Sequence, residues 1–164
     1  MKNIILFSSL LIFIWSCEQA TQTEVAKTIE TPEITTGFDS AFAAKVGADD
    51  YGMRKYVMAF LKRGPNRDQD SLTAANLQKA HLENIGRLAA EGKLSLAGPF
   101  LDDGELRGIY IFNVKTIEEA KALTETDPAI QQGRLVMELH PWYGSAALME
   151  VNEWHGKLEK TPIK

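Results

Sequence analysis

The sequence predicts an α+β domain of ferredoxin-like type, βαββαβ, with an antiparallel four-stranded sheet and its helices on one face. Three observations carry that expectation. Strand and helix signals follow one another in the order β-α-β-β-α-β between residues 53 and 143. Glycine and proline stand where elements must end, at Gly64-Pro65, Gly92, Gly98-Pro99, Gly104 and Gly133. The last strand alternates Leu135, Met137 and Leu139 with Val136, Glu138, His140 and Trp142, so its two faces meet different surroundings.

Each element has a local reason. Arg54 to Leu61 (RKYVMAFL) is rich in strand formers and runs into the turn signal Lys62-Arg63-Gly64-Pro65-Asn66. A helix starts near Asp70 or Ser71, either of which can cap its free amides, and ends at Gly92. Leu77, Ile85 and Leu88 mark its apolar face. His81 lies four residues from both Leu77 and Ile85 and so shares that face. Leu94 to Ala97 reads as a strand stopped by Gly98-Pro99, and Asp102-Asp103-Gly104 as hairpin chemistry leading into a third strand, Leu106 to Val114. Thr116 to Glu119 has capping-box spacing and opens a short helix through Leu123. Asp127-Pro128 supplies a cap and a proline at the first helical position of a further turn, ended by Gly133. Arg134 to Trp142 is the fourth strand.

Outside this core, Ile4 to Trp15 is an apolar run behind the positive Lys2. It is too short to span a bilayer but fits the apolar region of a secretory signal. Ile14-Trp15-Ser16-Cys17 resembles a bacterial lipobox, with Trp15 departing from the small residue usual at that place. Residues 1–16 are therefore expected to be a lipoprotein signal peptide and Cys17 a lipidation site, which tethers the chain to the bacterial envelope with the domain facing the periplasm or the exterior. An ordinary signal peptide with an incidental cysteine, or an uncleaved anchor, are the plainer readings; inner and outer membrane are not distinguished. Residues 17–52 read as a tether, poor in large apolar groups up to Thr36. Near its end Phe38, Ala41, Phe42 and Val46 suggest a short helix capped by Asp39 or Ser40. Residues 144–164 form a C-terminal extension in which Leu148, Val151, His155 and Leu158 suggest a helix, with an added strand at Leu148 to Val151 as the alternative.

Composition excludes several classes. A net charge of −4 offers no basic excess to displace counterions from phosphate, so no nucleic-acid partner is expected. The single cysteine permits neither an intrachain disulfide nor a cysteine-based zinc site. No phosphate-cradling glycine loop or G-x-S-x-G elbow occurs, and no cofactor is expected. Histidine spacing gives no metal-ligand pattern, and a site built from His81, His140 and a carboxylate has no support from it.

His81-Leu82, Glu91-Gly92-Lys93, Ala97-Gly98-Pro99, Gly108, the run Ile117-Glu118-Glu119-Ala120, and Asp127-Pro128 together resemble the YCII-related domain. The resemblance covers about Met53 to Trp142. It implies a dimeric α/β barrel in which the open faces of two sheets meet, hence a homodimer, and it matches the family's proposed His–Asp active site to His81 and Asp127. A carboxylate on one ring nitrogen would fix the tautomer and leave the other nitrogen to shuttle a proton for a small-molecule substrate, in lyase-like or isomerase-like chemistry. Each residue also has a plain structural role: His81 as a buried hydrogen-bonded histidine, Asp127 as a helix cap. Glu138 and His140 point the same way and are candidates to line a cavity or an interface beside Tyr56 or Tyr110, with Trp142 on the same face. The rival expectation is a non-catalytic dimeric module that binds a ligand or a protein.

Overall fold

The computed structural model of the chain describes residues 37–161. The segments expected to be a signal peptide and a tether up to Thr36, with Cys17, lie outside the described residues.

The elements are α1 (Ser40–Val46), β1 (Met53–Arg63), α2 (Ser71–Ala90), β2 (Leu94–Pro99), β3 (Leu106–Phe112), α3 (Ile117–Thr124), α4 (Pro128–Gln131), β4 (Leu135–Ser145), a 3-10 turn (Ala146–Glu150) and α5 (Val151–Leu158). The sheet order is β2-β3-β1-β4 and every neighbouring pair is antiparallel. The fold is thus α+β and ferredoxin-like. Capping follows side-chain chemistry: Asp70 Oδ1 accepts the Leu72 and Thr73 amides at the start of α2, and Thr116 with Glu119 forms a complete capping box on α3. Gly92, at φ +67°, adopts the left-handed conformation past the end of α2.

Strand extents depart from the sequence expectation. β1 and β4 pair continuously from Met53↔Ser145 to Arg63↔Leu135, so pairing carries both beyond their strongest propensity signals. β4 therefore runs past the boundary expected at Tyr143. Pro141 is tolerated within it because β4 is an edge strand and one missing donor breaks no central ladder. β2 continues through Gly98-Pro99 instead of stopping before them, for the same reason. β3 stops at Phe112, short of Val114, because Asn113 turns its amide to Lys93 O and its side chain to Gly92 O.

Register sets the two faces. Val57, Ala59, Leu61, Tyr110 and Phe112 point under the helices and form the core with Leu88 of α2 and Ala120 of α3. Gly108 shares that face: a Cβ there would sit 2.6 Å from the Gly98 carbonyl, so β3 approaches β2 at this point only as glycine. The opposite face carries Tyr56, Met58, Phe60 and Lys62 opposite Trp142, His140, Glu138 and Val136. At one end of it Tyr56 and Ile111 are buried, Arg54 reaches the Val46 carbonyl of α1, and the 3-10 turn runs from β4 to β2, where Ser95 Oγ meets Met149 Sδ. The extension after β4 is helical rather than a fifth strand. Trp142, opposite Tyr56, is half-buried; towards the other end Phe60 and Lys62 are half-buried while Val136, Glu138 and His140 are exposed.

Candidate functional site

α2 places His81 against the sheet, with 6 % of its surface exposed, and the N-cap of α4 places Asp127 beside it with none. His81 Nδ1 stands 2.6 Å from Asp127 Oδ2. The other carboxylate oxygen, Oδ1, accepts the Ala129 amide at 2.8 Å, so one side chain both caps α4 and holds the histidine. On the far side of the ring, Tyr110 Oη lies 3.3 Å from His81 Nε2, and the two rings stack at 6.2 Å.

A carboxylate that is ionised can only accept; Nδ1–H then donates to Asp127 and the Nε2 lone pair faces Tyr110. Burial first, and then the Asp127 charge, push the Tyr110 phenol far above its ordinary value, so it stays protonated and donates to Nε2. The result is a buried chain, Tyr110–His81–Asp127, in which the imidazole's one lone pair accepts from Tyr110 and a carboxylate stands ready to stabilise a positive ring.

A cavity of about 840 Å³ opens between the outer flank of α2 and strands β2 and β3, with His81 and Tyr110 in its wall. Gly108 and Pro99 line it from the sheet. His155 and Glu159, from the C-terminal extension, line it near the end of α2. A second polar group links α2 to the segment before Asp127: Asn84 Oδ1 accepts from Arg87 Nη2 at 2.8 Å and from Thr126 Oγ1 at 3.1 Å. That link steadies the backbone from which Asp127 projects.

His81, Asp127 and Tyr110 are thus brought together. The expected companions are not. Tyr110 faces the helices, whereas Tyr56, Glu138, His140 and Trp142 lie on the opposite face of the sheet, because Ala59 and not Met58 is the register partner of Tyr110. None of those four lines the cavity. Tyr56 is buried and donates to the Ser145 carbonyl at 3.0 Å, with its ring tilted against Trp142. Glu138 pairs with Lys62 and with His140 at the surface. Sequence reasoning missed the role of Tyr110 as the partner of Nε2, and it missed Asn84. Alternation puts Tyr110 in step with Gly108 and Phe112, but parity alone does not say which side of the sheet carries the helices. Among the described residues no group of three or more His, Cys, Asp or Glu side chains is placed to hold a metal ion.

The family model of the YCII-related domain matches residues 56–143, which takes in most of β1 and β4, all of β2 and β3, and the His81–Asp127 pair. The chain belongs to the YCII-related domain family. The chain is similar to the uncharacterized protein YjpA of Bacillus subtilis (strain 168), 32% identical over 62 residues, covering 38% of this chain and 71% of YjpA. Among solved structures, a complex of 5-chloro-2-hydroxyhydroquinone dehydrochlorinase (TftG) from Burkholderia phenoliruptrix AC1100 with 2,5-dihydroxybenzoquinone is similar. It has 19% identity and a TM-score of 0.39, over 52% of this chain and 92% of that one. The extension that brings His155 and Glu159 to the cavity lies beyond the span matched to the YCII-related domain.

Proposed function

We propose that this YCII-related domain is a small-molecule enzyme in which His81 transfers a proton, with Asp127 as its positioning residue. One observation carries the reading: a buried imidazole has one nitrogen 2.6 Å from a carboxylate and belongs to the wall of a cavity of about 840 Å³. In the forward step a C–H or O–H acid of the substrate gives its proton to Nε2 and keeps the electron pair. The ring becomes an imidazolium, stabilised across Nδ1–H by the Asp127 carboxylate. The proton then returns to a different atom of the substrate, an isomerisation, or to a departing group, an elimination. No oxidant or reductant is needed for either. Tyr110 O–H, displaced from Nε2 by the substrate, is placed to donate to the oxygen on which negative charge develops.

The reading extends to the setting. Cleavage before Cys17 and lipidation there would hold the domain at the bacterial envelope. Pairing of two copies through the face that carries Phe60, Val136 and Trp142 would cover its half-exposed apolar groups. Val136→Glu places a charge on that face, and sedimentation of the variant should show monomer where the parent shows dimer. A parent chain that is monomeric at micromolar concentration would remove the dimer from the reading.

The test of the catalytic reading is a thermal-shift screen of small molecules, because a ligand that binds only the folded state raises the melting temperature by mass action. Hits are then incubated with wild type and His81→Gln and followed for chemical change. Turnover by wild type that falls at least about 100-fold in the variant, with binding retained, supports proton transfer by His81. Equal turnover refutes it. Hits that bind both proteins and react with neither would favour the rival reading of a non-catalytic binding module.

A further inference from the structure

Beyond the histidine, the charged chemistry of the cavity is mostly guanidinium. Arg67, Arg107 and Arg134 all line it, in a chain whose net charge is −4. They arrive from three separate segments: the loop after β1, the second residue of β3, and the position just before β4. Arg107 is already neutralised, since its Nη1 lies 3.1 Å from Asp103 Oδ1, a carboxylate that Arg63 shares. The other two are not. Arg67 Nη1 is 3.4 Å from the Arg134 carbonyl, and Arg134 Nη1 is 2.8 Å from the neutral amide oxygen of Gln69. Among the described residues neither has a carboxylate within ion-pair distance.

Arg67 is exposed at the rim of the cavity and Arg134 is half-buried, so solvent screens part of the crowding of like charge there. Burial, and then the like charges of Arg134, Arg63 and Arg107, push the Arg67 pKa below its ordinary value, with Asp103 alone opposing them. Positive charge is thus concentrated at one end of a cavity whose remaining wall includes Leu82, Ile85, Leu96 and Leu135. The one carboxylate in the lining, Glu159, comes from α5's C-cap and is already 3.7 Å from His155.

We infer that the cavity takes a small organic oxyanion, a carboxylate or a phosphate on an apolar body, whose oxygens are held by Arg67 and Arg134. A guanidinium offers two parallel donors that match two oxygens of either group, and the ligand charge relieves the repulsion between the arginines. Gln78, one turn before His81 on α2, lines the same cavity, so a ligand held at the arginines extends along α2 towards Nε2. Anchoring by a remote charge is a way to hold the reacting atom in place for proton transfer. The placement of the reactive end rests on the proposed role of His81; the anion site itself rests on the arginines.

The experiment is calorimetric titration of the full chain in detergent with hexanoate, hexyl phosphate and the neutral hexanamide. The His81 ring signals are followed by NMR in parallel. At least one anion should bind about tenfold or more tightly than hexanamide, a difference of about 1.4 kcal/mol. The same anion should weaken as salt is raised. Arg67→Gln and Arg134→Gln should each weaken the anion about tenfold and leave hexanamide unchanged, with Arg67→Lys in between because it keeps charge but loses the fork. A tenfold preference for hexanoate assigns a carboxylate, and the reverse assigns a phosphate. Equal affinity for hexanamide and both anions, no binding of either anion up to millimolar concentration, or unchanged anion affinity in both Gln variants would overturn the inference. The two readings fail separately. Anion binding that leaves the His81 signals unmoved defeats the placement of the reactive end and keeps the anion site; equal affinity for hexanamide and both anions, with His81 signals that respond to all three, does the opposite.

Discussion

Two histidine–carboxylate pairs of nearly equal length sit on opposite faces of one sheet. His81 and Asp127 are 2.6 Å apart, with side-chain exposures of 8% and 0%. His140 and Glu138 are 2.8 Å apart, with exposures of 48% and 46%. The contact is the same and the surroundings are not. The buried pair has each partner's remaining polar atom occupied, by the Ala129 amide and by Tyr110, and adjoins a cavity. The exposed pair shares its carboxylate with Lys62, which, ahead of His140, lowers the Glu138 pKa. Distance alone therefore does not mark a site. Burial, a second partner on the far nitrogen and a space for a ligand do.

The largest effect expected from breaking this contrast is on turnover. His81→Gln should lower kcat by about 10²- to 10⁴-fold, the usual contribution of a positioned acid–base group. His140→Gln should leave kcat within about twofold. Comparable losses from the two variants would mean that the sheet faces are not functionally distinct.

Stability should separate the pairs next. Asp127→Ala removes the N-cap of α4, about 1 kcal/mol, and leaves a buried Nδ1–H without an acceptor, about 1–3 kcal/mol more. A loss of about 2–4 kcal/mol in denaturant unfolding is expected. Asp127→Asn retains an oxygen acceptor for the cap and should recover part of it. A loss below about 1 kcal/mol for Asp127→Ala would show that the buried contact contributes little.

The two pairs also differ in how far the sequence revealed them. The face of α2 was legible: Leu77, His81, Ile85 and Leu88 fall on one stripe, and all are buried or half-buried. Asp127 was legible as a cap, but its meeting with His81 spans 46 residues, and only the family resemblance suggested it. Which face of β3 holds Tyr110 was not legible, because Ile109 and Ile111 are as apolar as their neighbours and parity does not say which side carries the helices. Glu138 and His140 were correctly placed on a common face with Trp142 and Tyr56, yet that face is not the cavity's. Arg67 and Arg134 lie in loops, where side-chain alternation gives no guide. Their approach depends on the turn after β1 meeting the start of β4, where Gly64 and Asn66 amides donate to the Arg134 and Gly133 carbonyls.

Tyr110 sharpens the comparison further, because no counterpart to it stands beside His140. Tyr110→Phe removes the hydrogen bond to Nε2 and should destabilise by about 1 kcal/mol at neutral pH. The pH dependence has a definite sign. The folded-state pKa lies above the unfolded value, so the contribution is intact below about pH 10 and is lost as pH rises beyond it. The gap between wild type and variant should therefore narrow and then reverse in alkaline solution, as read from urea midpoints at successive pH values. A gap that stays constant from neutral to alkaline pH would contradict the burial of an un-ionised phenol.

The smallest effect belongs to the exposed pair. Glu138→Gln should leave the melting temperature unchanged within error at neutral pH, because long side chains at the surface lose in ordering most of what the contact returns. Its acid limb gives the finer test. Lys62, more than His140, holds the Glu138 pKa below its usual value, so whatever the carboxylate contributes is present above the ordinary glutamate range and fades as pH falls through the folded value. Wild type and Glu138→Gln should therefore converge in acid and differ, if at all, above it, with the difference vanishing in high salt. A neutral-pH loss approaching that of Asp127→Ala would mean the exposed face is covered in solution. The Lys62–Glu138–His140 cluster would then lie inside an interface between copies, where desolvation makes such a contact matter.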